Sequence, residues 1–216
     1  MIARAGDAVR NVTLAPMVLR RIGKVFISVG VLVLLFLAYQ LYGTNVITDR
    51  HQEALAAEFV PVPGNSAPPA DPPKPKIGDG IALIKIPKIA LEKVVVEGGG
   101  LDEIDPQLKR GPGHITGTAL PGRQGNSVIS GHRTTYGAPF FRLDELNRGD
   151  LIEIQDKTAA YTYRVIDKKI VLPTDLSVIV PTADARLTLT TCHPRYSARQ
   201  RLIIVAELES PKAGAA

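Results

Sequence analysis

Cysteine is nearly absent from this chain: Cys192 is the single one in 216 residues. A lone cysteine excludes an intramolecular disulfide, and a zinc site built on it would need several other ligands. Also missing is any Lys/Arg cluster interleaved with aromatics, which make up only 5% of the chain. The formal net charge of +5 comes largely from a basic arm at the N-terminus, and charges elsewhere are mixed in sign, so the composition argues against a nucleic-acid partner. No internal repeat is apparent, and helical periodicity beyond the N-terminal region is limited to a turn or two.

What the chain does have is one long uncharged run. Val25 to Tyr42 is broken only by Ser28, Gly30 and Gln40. Eighteen residues rising about 1.5 Å each cover roughly 27 Å, enough for a hydrocarbon core, so a transmembrane helix is expected over 25–42. Arg4, Arg10, Arg20, Arg21 and Lys24 precede it against a single Asp7, and no basic excess follows. The positive-inside rule then places residues 1–24 in the cytoplasm and everything after the span outside the cell membrane. The apolar run is too long for a cleaved signal peptide, and Ala54-Leu55-Ala56 lies too far downstream for its cleavage site. An uncleaved, single-pass anchor is the reading.

Residues 43–79 read as an extracellular stalk and linker. Residues 44–58 are weakly helical, and Val60 to Pro75 holds seven prolines in sixteen residues, a semi-rigid spacer that would hold a domain away from the bilayer. Over 80–210 short runs rich in Val, Ile, Thr and Tyr take over: 82–86, 94–97, 126–132, 151–155, 160–166, 169–172, 186–192 and 201–208. Turns of helix are expected near 101–108 and 140–146, and residues 211–216 form a tail. Eight short strands in about 130 residues predict an all-β sandwich or closed barrel.

The ordinary role of a lone cysteine is inert packing. Strand alternation argues otherwise: Leu187, Leu189 and Thr191 share one face, Thr188, Thr190 and Cys192 the other. With leucine facing the core, Cys192 lies on the polar face near the strand's end, a place for a nucleophile in a surface groove. In an exported domain an idle thiol is also a liability. His132, at the end of an apolar strand, is the favoured proton partner; His193 and His114 remain alternatives, and His51 lies in the stalk. Arg201 opens the strand that a hairpin would return beside Cys192. Arg195 and Arg199 read as solvated loop charges.

These residues carry a family resemblance. Thr188-Leu189-Thr190-Thr191-Cys192 resembles the TLxTC signature of sortases, membrane-anchored cysteine transpeptidases of Gram-positive cell surfaces, and the likeness runs from Ala82 to Leu208. Gly131 to Phe140 and the segments Gly111 to His114 and Gly117 to Gly122 are similar to class E sortases, with class D next. The resemblance implies an eight-stranded sortase-type β-barrel with short helices, preceded by one N-terminal transmembrane helix. It implies Cys192, His132 and Arg201 as the catalytic residues, with Thr191, Thr190, Ile115 and Tyr136 near the substrate. Implied partners are secreted proteins ending in LAxTG- or LPxTG-like sorting signals, a peptidoglycan-precursor or pilin amine as acceptor, and membrane lipid. Class E members often carry an aromatic where this chain has Ile115, which leaves the second signal residue open. No acidic cluster matches the calcium site of some class A enzymes, and neither metal nor cofactor is expected. L,D-transpeptidase, papain-like and NlpC/P60 signatures are lacking, and a Gly-rich oxyanion loop of the chymotrypsin-like kind does not surround Cys192. The rival from another class is a non-enzymatic, membrane-tethered β-barrel that binds wall components.

Overall fold

A computed structural model describes residues 6–59, 74–100 and 105–209, with side chains from Met17 onward. The chain divides into two units, Met1–Gly43 and Thr44–Ala216. The first holds helix α1 (Gly6–Ala38) and a π-helical turn, Tyr39–Gly43. The helical run from Met17 contains an 18-residue window of mean hydropathy 2.3, none of it buried. Phe26, Leu32 and Leu34 point outward, and a helix apolar on every side suits hydrocarbon rather than water. It is long and apolar enough to cross a membrane.

The second unit begins with α2 (Thr44–Glu58) and continues as eight strands: β1 (Gly80–Ile86), β2 (Leu91–Gly99), β3 (Gly113–Ile115), β4 (Gly125–Ser130), β5 (Leu151–Asp156), β6 (Ala160–Val171), β7 (Ala185–His193) and β8 (Gln200–Leu208). They close into a barrel in the order β1-β2-β3-β4-β7-β8-β6-β5, with β5 returning to β1. Pairs β2–β3 and β4–β7 are parallel and the others antiparallel. Alternation sorts the faces as expected. Ile84, Ile129, Ile154, Tyr163, Leu187, Leu189 and Ile204 point inward into one apolar core. Burial of each such side chain contributes about 1.5–3 kcal/mol.

The strand count is as anticipated, but its members differ. The runs at 160–166 and 169–172 are one strand, β6, bent by a register shift between Val165 and Asp167. The additional strand, β3, is three residues long, too short for any periodicity to announce it. It approaches β2 so closely that a Cβ on Gly99 or Gly113 would lie within 2.6 Å of the other's backbone, so glycine is required at both. The helical turn near 140–146 is a short 3-10 segment, Leu143–Glu145. Of the segment 101–108, residues 101–104 lie outside the described residues, as do most of the proline-rich stretch (60–73) and the tail.

Helix α2 is not a free stalk. Leu55 and Phe59 pack on Val94, Val96 and Leu83 of the barrel. The Gln52 side chain acts as one more residue of sheet: its Oε1 accepts from Val94 N at 2.7 Å, and its Nε2 donates to Val94 O at 3.0 Å and to Arg110 O at 2.7 Å. The part of β2 that β3 leaves unpaired is closed by this amide. The proline-rich segment therefore joins two parts of a single unit.

Candidate active site

Three adjacent strands, β4, β7 and β8, assemble the site at one end of the barrel. The parallel register of β4 and β7 pairs Ser130 with Thr190, and Gly131 N donates to Thr190 O at 3.1 Å. His132 and Cys192 each stand two residues beyond that pair, on the same side of their chains. On the other flank, Cys192 is directly opposite Arg201 in the antiparallel β7–β8 register. Opposed residues in such a pair have Cβ atoms about 4.5–5.5 Å apart on one face. The Arg201 guanidinium is oriented by donating from Nη1 to Ala198 O at 3.1 Å and Gln200 O at 3.3 Å.

His132 and Cys192 line a cleft of about 340 Å³, together with Arg133, Thr134, Thr135, Tyr196, Ser197 and Ala198. His132 is 7% exposed and Cys192 is half-buried, so the thiol meets solvent where the imidazole is shielded. All three groups are on the outer face of the barrel, since Leu187, Leu189, Leu202 and Ile204 fill its inside. That outer face is not an open polar surface along its length, as alternation alone had suggested. Thr188 is buried and donates to Asn126 Oδ1 at 2.7 Å, while Asn126 Nδ2 donates to the carbonyls of Val178 and Val180. The β6–β7 connection thus sits over Asn126 on β4, the partner of Thr188.

The other expected site residues divide. Thr191 is buried and donates from Oγ1 to Gly131 O at 2.7 Å, tying the end of β7 to that of β4. Thr190 is buried, and its hydroxyl has no hydrogen-bond partner among the described residues. Tyr136 stacks on His132, ring centroids 4.9 Å apart and tilted by 39°. Ile115 lies on β3 and is not among the cleft residues.

The rival histidines have other partners. His193 Nδ1 is 3.5 Å from Arg133 Nη1. His114 is buried rather than in a surface loop: its Nδ1 is 2.7 Å from Glu97 Oε2 and its Nε2 is 3.0 Å from Ala119 O. Thr118 Oγ1 also lies 3.0 Å from Nε2, so both ring nitrogens have hydrogen-bonding partners inside the barrel wall.

A cationic cluster beneath the cleft escaped the sequence reading. Arg133 is only 3% exposed. Its Nη1 donates to Cys192 O at 3.1 Å, its Nε to Phe141 O at 3.2 Å, and its Nη2 meets Asp144 Oδ1 at 2.9 Å. Asp144 also accepts from Arg195 Nη2 at 3.0 Å, and the Arg195 guanidinium lies 4.3 Å over the Phe141 ring. Arg195 is thus a packed, paired residue and not a solvated loop charge; Arg199 remains exposed. Burial lowers the pKa of Arg133; the Asp144 carboxylate opposes that, and a thiolate at Cys192 would do the same. Burial would raise Asp144, but the hydrogen bond from Arg195 and the two guanidinium charges outweigh it and hold its carboxyl below the usual range. Glu145, 3.9 Å from Arg195, is itself paired with Arg142, so the network sets three guanidiniums against two carboxylates, and Arg133 is its member in contact with the Cys192 backbone. The one advance signal was position: Arg133 directly follows His132.

The loop after His132 is pinned from inside. Phe140 is fully buried, its N–H donates to His132 O at 3.1 Å, and its ring occupies the space a Cβ on Gly131 would need, 2.6 Å away.

The closed eight-stranded barrel is the fold this chain shares with known proteins. A sortase domain model matches residues 84–209, and the chain belongs to the sortase family. It is similar to sortase SrtE1 of Streptomyces coelicolor, 34% identical over 86% of this chain and 55% of that protein. It is also similar to sortase D of Bacillus subtilis, 36% identical over 56% of this chain and 58% of that one. The chain thus spans little more than half the length of these two curated relatives. Among solved structures, sortase E of Streptomyces avermitilis matches with a TM-score of 0.56 at 36% identity, covering 63% of this chain and 91% of its own. The Clostridium perfringens sortase D5 transpeptidase matches at 0.57 and 35%, covering 63% and 83%. Sortase E1 of S. coelicolor, solved with a tripeptide in its active site, matches at 0.55 and 28%, covering 62% and 90%.

Proposed function

We propose that this chain is a membrane-anchored cysteine transpeptidase that cleaves the Thr–Gly bond of LAxTG- or LPxTG-like sorting signals. In this reading the Cys192 thiolate attacks the threonine carbonyl carbon, and the developing oxyanion is held by Arg201. The C–N bond breaks as His132, an imidazolium, gives its proton to the departing glycine amine. A thioacyl enzyme remains. An acceptor amine, from a peptidoglycan precursor or a pilin, then attacks the thioester and returns a proton to His132, and the C–S bond breaks to restore the thiolate. Helix α1 is the anchor, with the basic N-terminus cytoplasmic and the barrel outside, where signal and acceptor are both membrane-associated.

The observation that carries the proposal is the register: Ser130 beside Thr190 and Cys192 opposite Arg201 bring three distant residues to one barrel end. The tripeptide in the active site of the S. coelicolor enzyme supports a peptide substrate here. Incubation with LAxTG and LPxTG peptides and an amine acceptor tests it. The expected result is amide exchange and a Cys192 thioacyl adduct by mass spectrometry, both lost in Cys192→Ala. An unreactive Cys192 towards a methanethiosulfonate reagent, with no exchange for either peptide, would instead favour a tethered binding module.

A further inference from the structure

Three consecutive residues after His132 have left-handed backbones: Tyr136 at φ 51°, Gly137 at 73° and Ala138 at 40°. Glycine takes this conformation freely, but tyrosine and alanine do so at a cost, and such residues persist only where their surroundings over-determine them. Here the surroundings are the first residues of α2. Tyr136 N donates to Thr44 Oγ1 at 3.2 Å, and Gly137 N donates to Asn45 Oδ1 at 2.8 Å. Thr48 Cγ2 sits 3.1 Å from where a Gly137 Cβ would be. From within the loop, only Ala138 N is satisfied, by Thr135 O at 2.9 Å.

The strained turn has one visible product, the Tyr136 ring against the His132 imidazole at 4.9 Å. Helix α2 also reaches the far partner of that ring. Thr48 Oγ1 donates to Lys109 O at 2.8 Å, and Lys109 Nζ lies 5.7 Å from the Tyr136 ring centroid. Two side-chain acceptors and a threonine methyl on one helix thus fix the backbone that seats an aromatic wall on the histidine.

We propose that Thr44 and Asn45 are positioning residues for His132. They act through the Tyr136 and Gly137 amides to hold Tyr136 on the imidazole and so fix the ring's orientation towards Cys192. The proposal rests on the reading of His132 as the proton-transfer group of the thiol chemistry. Other charged or titratable groups facing this place are Arg133 beside it in sequence, Cys192 on β7, Arg201 on β8 and Lys109 across the tyrosine ring. None of them is altered by changes at Thr44 or Asn45. Release of the turn therefore reports on the histidine's placement and not on a lost charge.

The test uses the full chain in detergent micelles, as wild type, Thr44→Val/Asn45→Ala, and the uncharged conservative Thr44→Ser and Asn45→Ser, which keep an acceptor oxygen. Two quantities are read. Without substrate, the rate of Cys192 alkylation by iodoacetamide is followed across the range in which thiols and imidazoles titrate. With substrate, kcat and KM are measured for sorting-signal peptide. The double variant is expected to shift the alkylation profile and to lose at least tenfold in kcat while KM stays within about twofold, with the conservative variants restoring both. A folded double variant with wild-type profile and kcat would overturn the proposal, as would losses that the conservative variants fail to restore. If the double variant melts, Asn45→Ala alone gives the same comparison, since Asn45 is half-buried and supplies one contact. If wild type turns over no peptide, the transpeptidase reading fails, while the alkylation profile still decides whether the helix positions His132.

Discussion

Arg133 Nη1 donates to the Cys192 carbonyl at 3.1 Å, so the residue that follows the candidate acid holds the backbone of the candidate nucleophile. The same guanidinium reaches Phe141 O and Asp144, three acceptors in three directions. Arg133→Met leaves these groups unpaired, at about 1–3 kcal/mol for a buried acceptor. The expected outcome is a fall in kcat/KM of at least tenfold and slower Cys192 alkylation near neutral pH, measured on folded protein. Arg133→Lys is not expected to rescue, because an ammonium cannot span the same three positions.

Asp144 gives a pH prediction with a definite sign. Its folded pKa is below the ordinary value of about 3.8. The stability it lends is therefore complete above that value and is lost as the pH falls from there through the lower folded pKa. In Asp144→Asn the urea midpoint should be lower than wild type at neutral pH, and the gap should narrow with acidification below about pH 3.8. A gap that widened in acid would contradict the arrangement.

Gly131→Ala places a methyl 2.6 Å from the Phe140 ring. The ring is fully buried and has nowhere to retreat, so overpacking of about 1–3 kcal/mol is expected, read as a lower urea midpoint. Because Phe140 N also holds His132 O, activity should fall more than the loss of folded protein accounts for.

Glu97→Gln tests the internal pair with His114. Both side chains are at most 5% exposed, and the carboxylate also accepts from Thr116 Oγ1 at 2.9 Å. An amide in place of the carboxylate leaves buried polar groups mispaired, at about 1–3 kcal/mol, so equilibrium denaturation should show a destabilisation. A near-neutral effect would contradict a structural role for the Glu97–His114 contact.

Cys192 and Arg201 were legible as candidates because they lie near facing ends of β7 and β8, where alternation fixes a face. His132 stands two residues past β4, which is buried throughout, and drew notice by its strand-to-loop position. Arg133, Asp144 and Arg195 were not, because they meet across irregular loops where no period relates one side chain to another. Charged loop residues normally face water, and nothing local to Arg195 says that Asp144 and the Phe141 ring await it. The docking of α2 was hidden for a different reason. Its central contact is the amide of Gln52, a polar group that hydropathy counts against burial. Eight short strands left a sandwich and a closed barrel both open, and the sortase resemblance chose the barrel; β3 escaped because three residues carry no pattern.

With Gln52, Leu55 and Phe59 fastened to the barrel ahead of the prolines, both flanks of the proline-rich stretch belong to one unit. Loop-closure entropy grows only logarithmically with length, so residues added or removed there change little beyond a modest entropic term. The covalent link between the unit that holds the apolar helix and the barrel unit lies elsewhere, at the Gly43–Thr44 junction. Variation in the eye-catching segment is thus mechanically silent, whereas one residue inserted at that junction would alter the tether itself.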